Sequence, residues 1–175
     1  MKLITSAIMA LLGSSVSVKA QACLADIGLT RVEGPQKSTG DGTTIENLYI
    51  VSSPENDTAL HISHKNVTVK NVVIHHAANS RGIYFWDADG LTIENVEVIA
   101  YGVHAAGAMP CPSRKPFDGY NCNNIFGYKS EGLTIKNVRV EGGSKGIGMQ
   151  SSSNSKLTNV IAKNVRGPYP GGQCF

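Results

Sequence analysis

Two segments, GIYFWDADG at 82–90 and NIFGYKSEG at 124–132, hold most of the side chains that could do chemistry. If Ile83, Phe85 and Ile125 turn one way along extended chain, then Tyr84, Trp86, Phe126 and Tyr128 turn the other. Four aromatic rings on one outward face need a cover. Sugar rings would supply it by laying their apolar CH faces on the aromatic planes, and a loop folded into a satellite core would do so equally well. Ionisable groups flank the same segments: Arg81, Asp87, Asp89, Lys129 and Glu131, with Lys65 one repeat earlier. Aligned, Asp87 stacks on Lys129, and Asp89 falls between Lys65 and Glu131. Lys129 or Arg81 could act as the base in an elimination beside a carboxylate. Asp87, Asp89 and Glu131 offer hard oxygen ligands for Ca²⁺. A hydrolase would instead employ Asp89 and Glu131 as a carboxylate pair. The plainer alternative is a solvated turn whose ion pairs contribute little.

What positions these groups is a repeat. GLTIENVEV at 90–98 returns as GLTIKNVRV at 132–140, and alignment on the Asn gives five copies, centred on Asn47, Asn71, Asn95, Asn137 and Asn159. The spacings are 24, 24, 42 and 22 residues, and the long one is an ordinary repeat plus about 18 inserted residues. Copies of this length build a solenoid, because none can bury its apolar face alone. Ile45, Val67, Val69, Leu91, Ile93, Leu133 and Ile135 alternate with polar residues, a period of two that predicts strands. The residue before each Asn runs Glu46, Lys70, Glu94, Lys136, Thr158, and Glu97 is aligned with Arg139. In stacked strands these become cross-strand neighbours, where alternating signs attract and set the register.

The pattern resembles the right-handed parallel β-helix of the pectin-lyase-like superfamily over roughly residues 43–166, the five asparagines matching that family's internal ladder. The resemblance implies coils of three strands with the Asn in a buried turn between the second and third, about five coils in all. It also implies a polysaccharide cleft along the strand that carries Tyr84, Trp86, Phe126 and Tyr128, walled by the return-loop insertion 101–123. The chain departs from the family's enzymes. Tyr84 and Trp86 stand where calcium-dependent pectate lyases carry acidic residues, and the polygalacturonase and alginate-epimerase signatures are missing. His61, His64, His75, His76 and His104 follow no ligand spacing, and His75-His76 reads as a surface pair in a short return loop.

Met1-Lys2, the apolar run LITSAIMALLGSSVSV and Ala20-Gln21-Ala22 predict a secretory signal peptide over 1–22, leaving one domain over 23–175. Its removal, with Lys2 and Lys19, lowers the formal charge from +3 to about +1, which argues against a nucleic-acid partner; no other apolar run is long enough for a membrane span. Two sequons, Asn56-Asp57-Thr58 and Asn66-Val67-Thr68, suit a secreted glycoprotein. The function expected is binding of an acidic polysaccharide of pectin or alginate type, with cleavage by β-elimination preferred to hydrolysis. The rival is a non-catalytic wall-binding or adhesin-like module. All 4 cysteines, Cys23, Cys111, Cys122 and Cys174, lie in the secreted part, where an oxidising compartment favours two disulfides. Three pairings are open. Non-reducing peptide mapping is expected to join Cys111 to Cys122, a local loop within the insertion, and Cys23 to Cys174; a Cys23–Cys111 peptide would refute that pairing.

Overall fold

The computed structural model describes residues 28–53, 55–77, 80–101 and 123–165; the leader, all four cysteines and most of the insertion lie outside them. Among the described residues there is no helix. Eleven strands wind into an all-β parallel solenoid of about 4 turns. The five Asn copies bound four steps of the coil, which is why counting copies suggests about five.

One sheet takes β1 (Thr30–Glu33), β3 (Thr44–Ser52), β5 (Thr68–Ala77), β7 (Thr92–Tyr101), β9 (Thr134–Glu141) and β11 (Lys156–Lys163), in that order. The other takes β2 (Gln36–Lys37), β4 (Thr58–Ile62), β6 (Arg81–Trp86), β8 (Asn123–Tyr128) and β10 (Lys145–Gln150). Every pairing is parallel. Between the sheets, Val69, Ile93 and Ile135 of one face Ile83, Phe85 and Ile125 of the other, all buried in one apolar column. The turns between sheets stack as well. Gly90 and Gly132 have φ of 68° and 69°, a left-handed conformation glycine adopts without strain. Their N–H groups donate to the carbonyls of Glu131 and Ser153 on the next rung at 2.8 and 3.0 Å.

The asparagines do form a ladder. Asn71, Asn95, Asn137 and Asn159 each donate through Nδ2 to Oδ1 of the preceding Asn, at 3.2, 3.3, 3.0 and 2.9 Å. All five have φ between 50° and 57°, where Asn is among the few tolerated L-residues. Two expectations are corrected. The ladder is on the outside, its asparagines exposed, because the left-handed residue bends the strand concavely and turns its side chain to solvent. The bend also does not divide the strand. In β5 and β7 register pairs continue on both sides, Lys70↔Glu94 before it and Val72↔Val96 after it, so a coil has two strands rather than three.

The charge columns are as the repeat predicts. Lys70 pairs with Glu46 at 3.0 Å, Lys136 with Glu94 at 2.8 Å and Arg139 with Glu97 at 3.1 Å. They are exposed pairs that fix register more than stability. Of the histidine pair only His75, half-buried, keeps access to the surface. Both residues lie within β5, where His75 meets the Tyr49 hydroxyl at 2.8 Å. His76 is fully buried. Its ring meets Asn124 Oδ1 and the Ala77 carbonyl, both at 3.1 Å, and burial lowers its pKa. Asn124 donates in turn to the carbonyls of Gly142 and Lys145, tying turns of separate coils together.

Asn95→Leu is expected to destabilise by about 2–4 kcal/mol, through a left-handed backbone penalty and two lost amide bonds. Asn95→Gly keeps the bend and should cost about half of that, and Thr92→Ala less than about 1 kcal/mol. Denaturant unfolding followed by circular dichroism ranks the three; equal losses for Leu and Gly would show that the bend does not require the left-handed residue.

Candidate functional site

Most side chains singled out for chemistry come from the β4–β6–β8–β10 sheet and the turns that leave it. The register places Lys37, His61, Tyr84, Phe126 and Gly148 in one outer column, and Trp86, Tyr128 and Gln150 in the next. The four aromatics are therefore brought together. Trp86 and Tyr128 lie with ring centroids 5.5 Å apart and planes inclined at 43°, and Phe126 meets Tyr128 edge-on at 5.0 Å. They are not equally exposed. Trp86 is 40% exposed, Tyr84 and Tyr128 are half-buried, and Phe126 retains only 7%. Phe126 is hidden because its ring folds across Gly148, where a Cβ would fall 2.6 Å from Phe126 Cδ2. Opposite faces of one sheet use the same device, since inside the core Phe85 occupies the space over Gly127.

Cations accompany the rings. The Lys129 ammonium stands 5.2 Å from the Trp86 ring centroid, the Arg81 guanidinium 4.8 Å from Tyr84 and the Lys145 ammonium 5.5 Å from Phe126. Such contacts are weakly favourable. Lys129 takes φ of 49° and Asp87 φ of 51° at equivalent turn positions, so both side chains leave the strand at the edge of the aromatic face. Burial raises the Tyr84 pKa, which keeps its phenol neutral.

The carboxylates are otherwise engaged. Asp89 accepts from Lys65 Nζ at 2.8 Å and from the Glu131 N–H at 3.0 Å, and these two bonds hold its pKa low. Glu131 accepts from Asn154 Nδ2 at 2.7 Å. Both act as side-chain braces between stacked turns, as Asp41 does for the Lys65 N–H. Among the described residues no three His, Cys, Asp or Glu side chains gather closely enough to hold a metal ion.

Each sheet carries a concavity on its outer surface. A groove of about 540 Å³ follows the asparagine ladder, walled by Val73, Glu97, Arg139 and Ile161. A recess of about 300 Å³ opens beside Tyr84, lined by Pro35, Lys37, Asp57, Thr58, His61 and Arg81. Lys37, His61 and Lys145 are absent from the sequence-based candidates. From the outer column to the next Asn is one residue less after Lys37 and His61 than after Tyr84 and Phe126, so a gapless alignment on the asparagines misses the first two. Allowing that one gap would have put His61 in the Tyr84 column.

No family model matches the chain, and neither the curated proteins nor the solved structures contain a match to it. What the structure shows is the parallel solenoid and its asparagine ladder, and no match supports the pectin-lyase-like superfamily in particular.

Trp86 is the only tryptophan. Iodide is expected to quench its fluorescence more efficiently than caesium, because the nearby ammonium groups concentrate anions, and Lys129→Ala should narrow the difference. Equal quenching by the two ions would mean that no net positive field surrounds the ring.

Proposed function

We propose that this is a secreted protein that binds an acidic polysaccharide along the outer face of the β4–β6–β8–β10 sheet. The observation that carries the reading is the exposed Trp86, inclined on Tyr128 and overhung by Lys129. Inclined rings offer a platform for the apolar face of a sugar, and the ammonium above meets a carboxylate on the same sugar or its neighbour. Rungs recur at the strand spacing of about 4.8 Å, so a chain lying along the solenoid axis meets a new row of side chains at each step. Cleavage by β-elimination is the activity this arrangement would support. A cation beside the sugar carboxylate stabilises charge that develops when the neighbouring carbon loses its proton, and Lys129 and Arg81 are the groups assigned to that role.

A specific observation favours a second reading, a non-catalytic binding module. Asp89 and Glu131 are held by Lys65, Asn154 and backbone groups, which supports a structural role for both. One set of variants separates the readings. Trp86→Ala should weaken binding of an oligouronate at least about tenfold, or ~1.4 kcal/mol, and leave the fold intact because an outward ring fills no cavity. Lys129→Ala should lower turnover about 10²–10⁴-fold if the protein is an enzyme, read as ultraviolet absorbance of the unsaturated product. In a binding module it changes affinity alone. If Trp86→Ala unfolds the protein, the aromatics are core and the platform reading fails.

A further inference from the structure

On the β3–β5–β7–β9 sheet Lys70, Lys136 and Arg139 each face a carboxylate within 3.1 Å. Around the recess beside Tyr84 the balance is positive. Lys37, from β2, is the register partner of His61 in β4. His61 in turn is the partner of Tyr84 in β6, their rings 5.4 Å apart and inclined by 32°. Arg81 begins β6 and lays its guanidinium 4.8 Å from the Tyr84 centroid. Three nitrogen-bearing side chains from three successive rungs thus line one opening of about 300 Å³, and Asp57 is the single carboxylate among its lining residues. Lys37 makes no ion pair among the described residues.

We propose that this recess is a binding site for one anionic group, a carboxylate or a sulfate ester, gripped by Lys37, Arg81 and His61, and that His61 takes up a proton as the anion enters. Size and polarity agree. The space admits a small anion and part of the sugar that bears it, the Tyr84 ring supplies an apolar flank, and charge-assisted N–H bonds of this kind are about twice as strong as neutral ones. As the site on the sugar-binding face that selects a charged ligand, it rests on the polysaccharide reading for the source of the anion. The recess itself depends only on its own geometry.

The proton follows from electrostatics. Partial burial, then repulsion by Lys37 and Arg81, holds the His61 pKa below its ordinary 6.5, so the ring of the unliganded site is neutral at pH 7. The charged and titratable groups facing it are Lys37 from β2, Asp57 at the start of β4, and Arg81 and neutral Tyr84 from β6. An anion placed among the cations offsets their repulsion and stabilises the imidazolium, raising the pKa. By linkage, whatever raises the proton affinity of His61 is bound more tightly by the protonated protein. Affinity should therefore increase as pH falls below 6.5, opposite to the behaviour of a site whose only titrating group is a carboxylate.

Inorganic sulfate tests the site without any polysaccharide. The imidazole resonances of His61, His64 and His75 are titrated by NMR in sodium chloride and in sodium sulfate of equal ionic strength. Sulfate should raise the His61 midpoint while leaving the other two in place, and the exposed substitution Lys37→Ala should diminish that rise. By calorimetry, sulfate should bind at least about threefold more tightly at pH 5.5 than at pH 7.5, a dependence that His61→Gln removes. A His61 midpoint that moves no further than that of His64, or a rise that survives Lys37→Ala unchanged, overturns the proposal. A second arm uses an oligouronate and its carboxyl-reduced counterpart. Lys37→Ala should weaken the former alone, whereas Trp86→Ala should weaken both. If sulfate moves His61 and neither oligosaccharide binds, the anion site stands and the polysaccharide reading falls. If both oligosaccharides bind through Trp86 and are equally unaffected by Lys37→Ala, the anion site falls and the platform stands.

Discussion

The structure depends on one backbone constraint, the left-handed asparagine repeated at each rung. A strand with a left-handed residue at its centre bends without losing the pairing on either side, as β5 and β7 show, where pairing skips Asn71 and Asn95 and resumes at Val72 and Val96. The bend recurs at the same place only if the rungs stay in register. The amide ladder enforces this by requiring each Nδ2 to meet the Oδ1 behind it. Each bond is exposed and contributes about 0.5–1.5 kcal/mol at most, yet their alignment specifies the coil. A slip by one residue would turn every core aliphatic outward. The ladder's exposure does not weaken this role, since its task is to hold φ positive and stack, not to fill the interior.

With the bend set, the two sheets diverge in character. The bent sheet spends its outer face on matched charges, Glu46 with Lys70, Glu94 with Lys136 and Glu97 with Arg139, which close on one another. The other sheet carries rings with cations beside them. Rings in its adjacent rungs approach to 5.4–5.5 Å and form one surface. Glycine sets which rings remain available. Phe126 sinks over Gly148, while Trp86 has Tyr128 beside it instead of a glycine and stays exposed. The same sheet therefore presents an aromatic platform at one end and a basic recess at the other.

Much of this was legible in the residues. The five asparagines, the period-two aliphatics and the alternating charges determine by themselves that the chain stacks as a parallel all-β coil, since each pattern makes sense only with copies in register. The alignment of Tyr84 with Phe126 and of Trp86 with Tyr128 followed from the same repeat, as did the placing of Asp89 between Lys65 and Glu131. Tertiary structure alone decided the rest, wherever alternation stops being a guide to direction. Gly82 and Ile83 both face the interior, so counting by twos fails at the start of β6, and there His76 and Asn124 pass into the core as a buried polar link. A spacing to the next Asn shorter by one residue shifts Lys37 and His61 out of a gapless alignment and into the Tyr84 column. A left-handed residue reverses the side chain it carries, which sent the asparagines outward. Sequence periodicity reports which residues share a strand face; which faces close on one another depends on bends and turn lengths that act through space and leave no periodic trace.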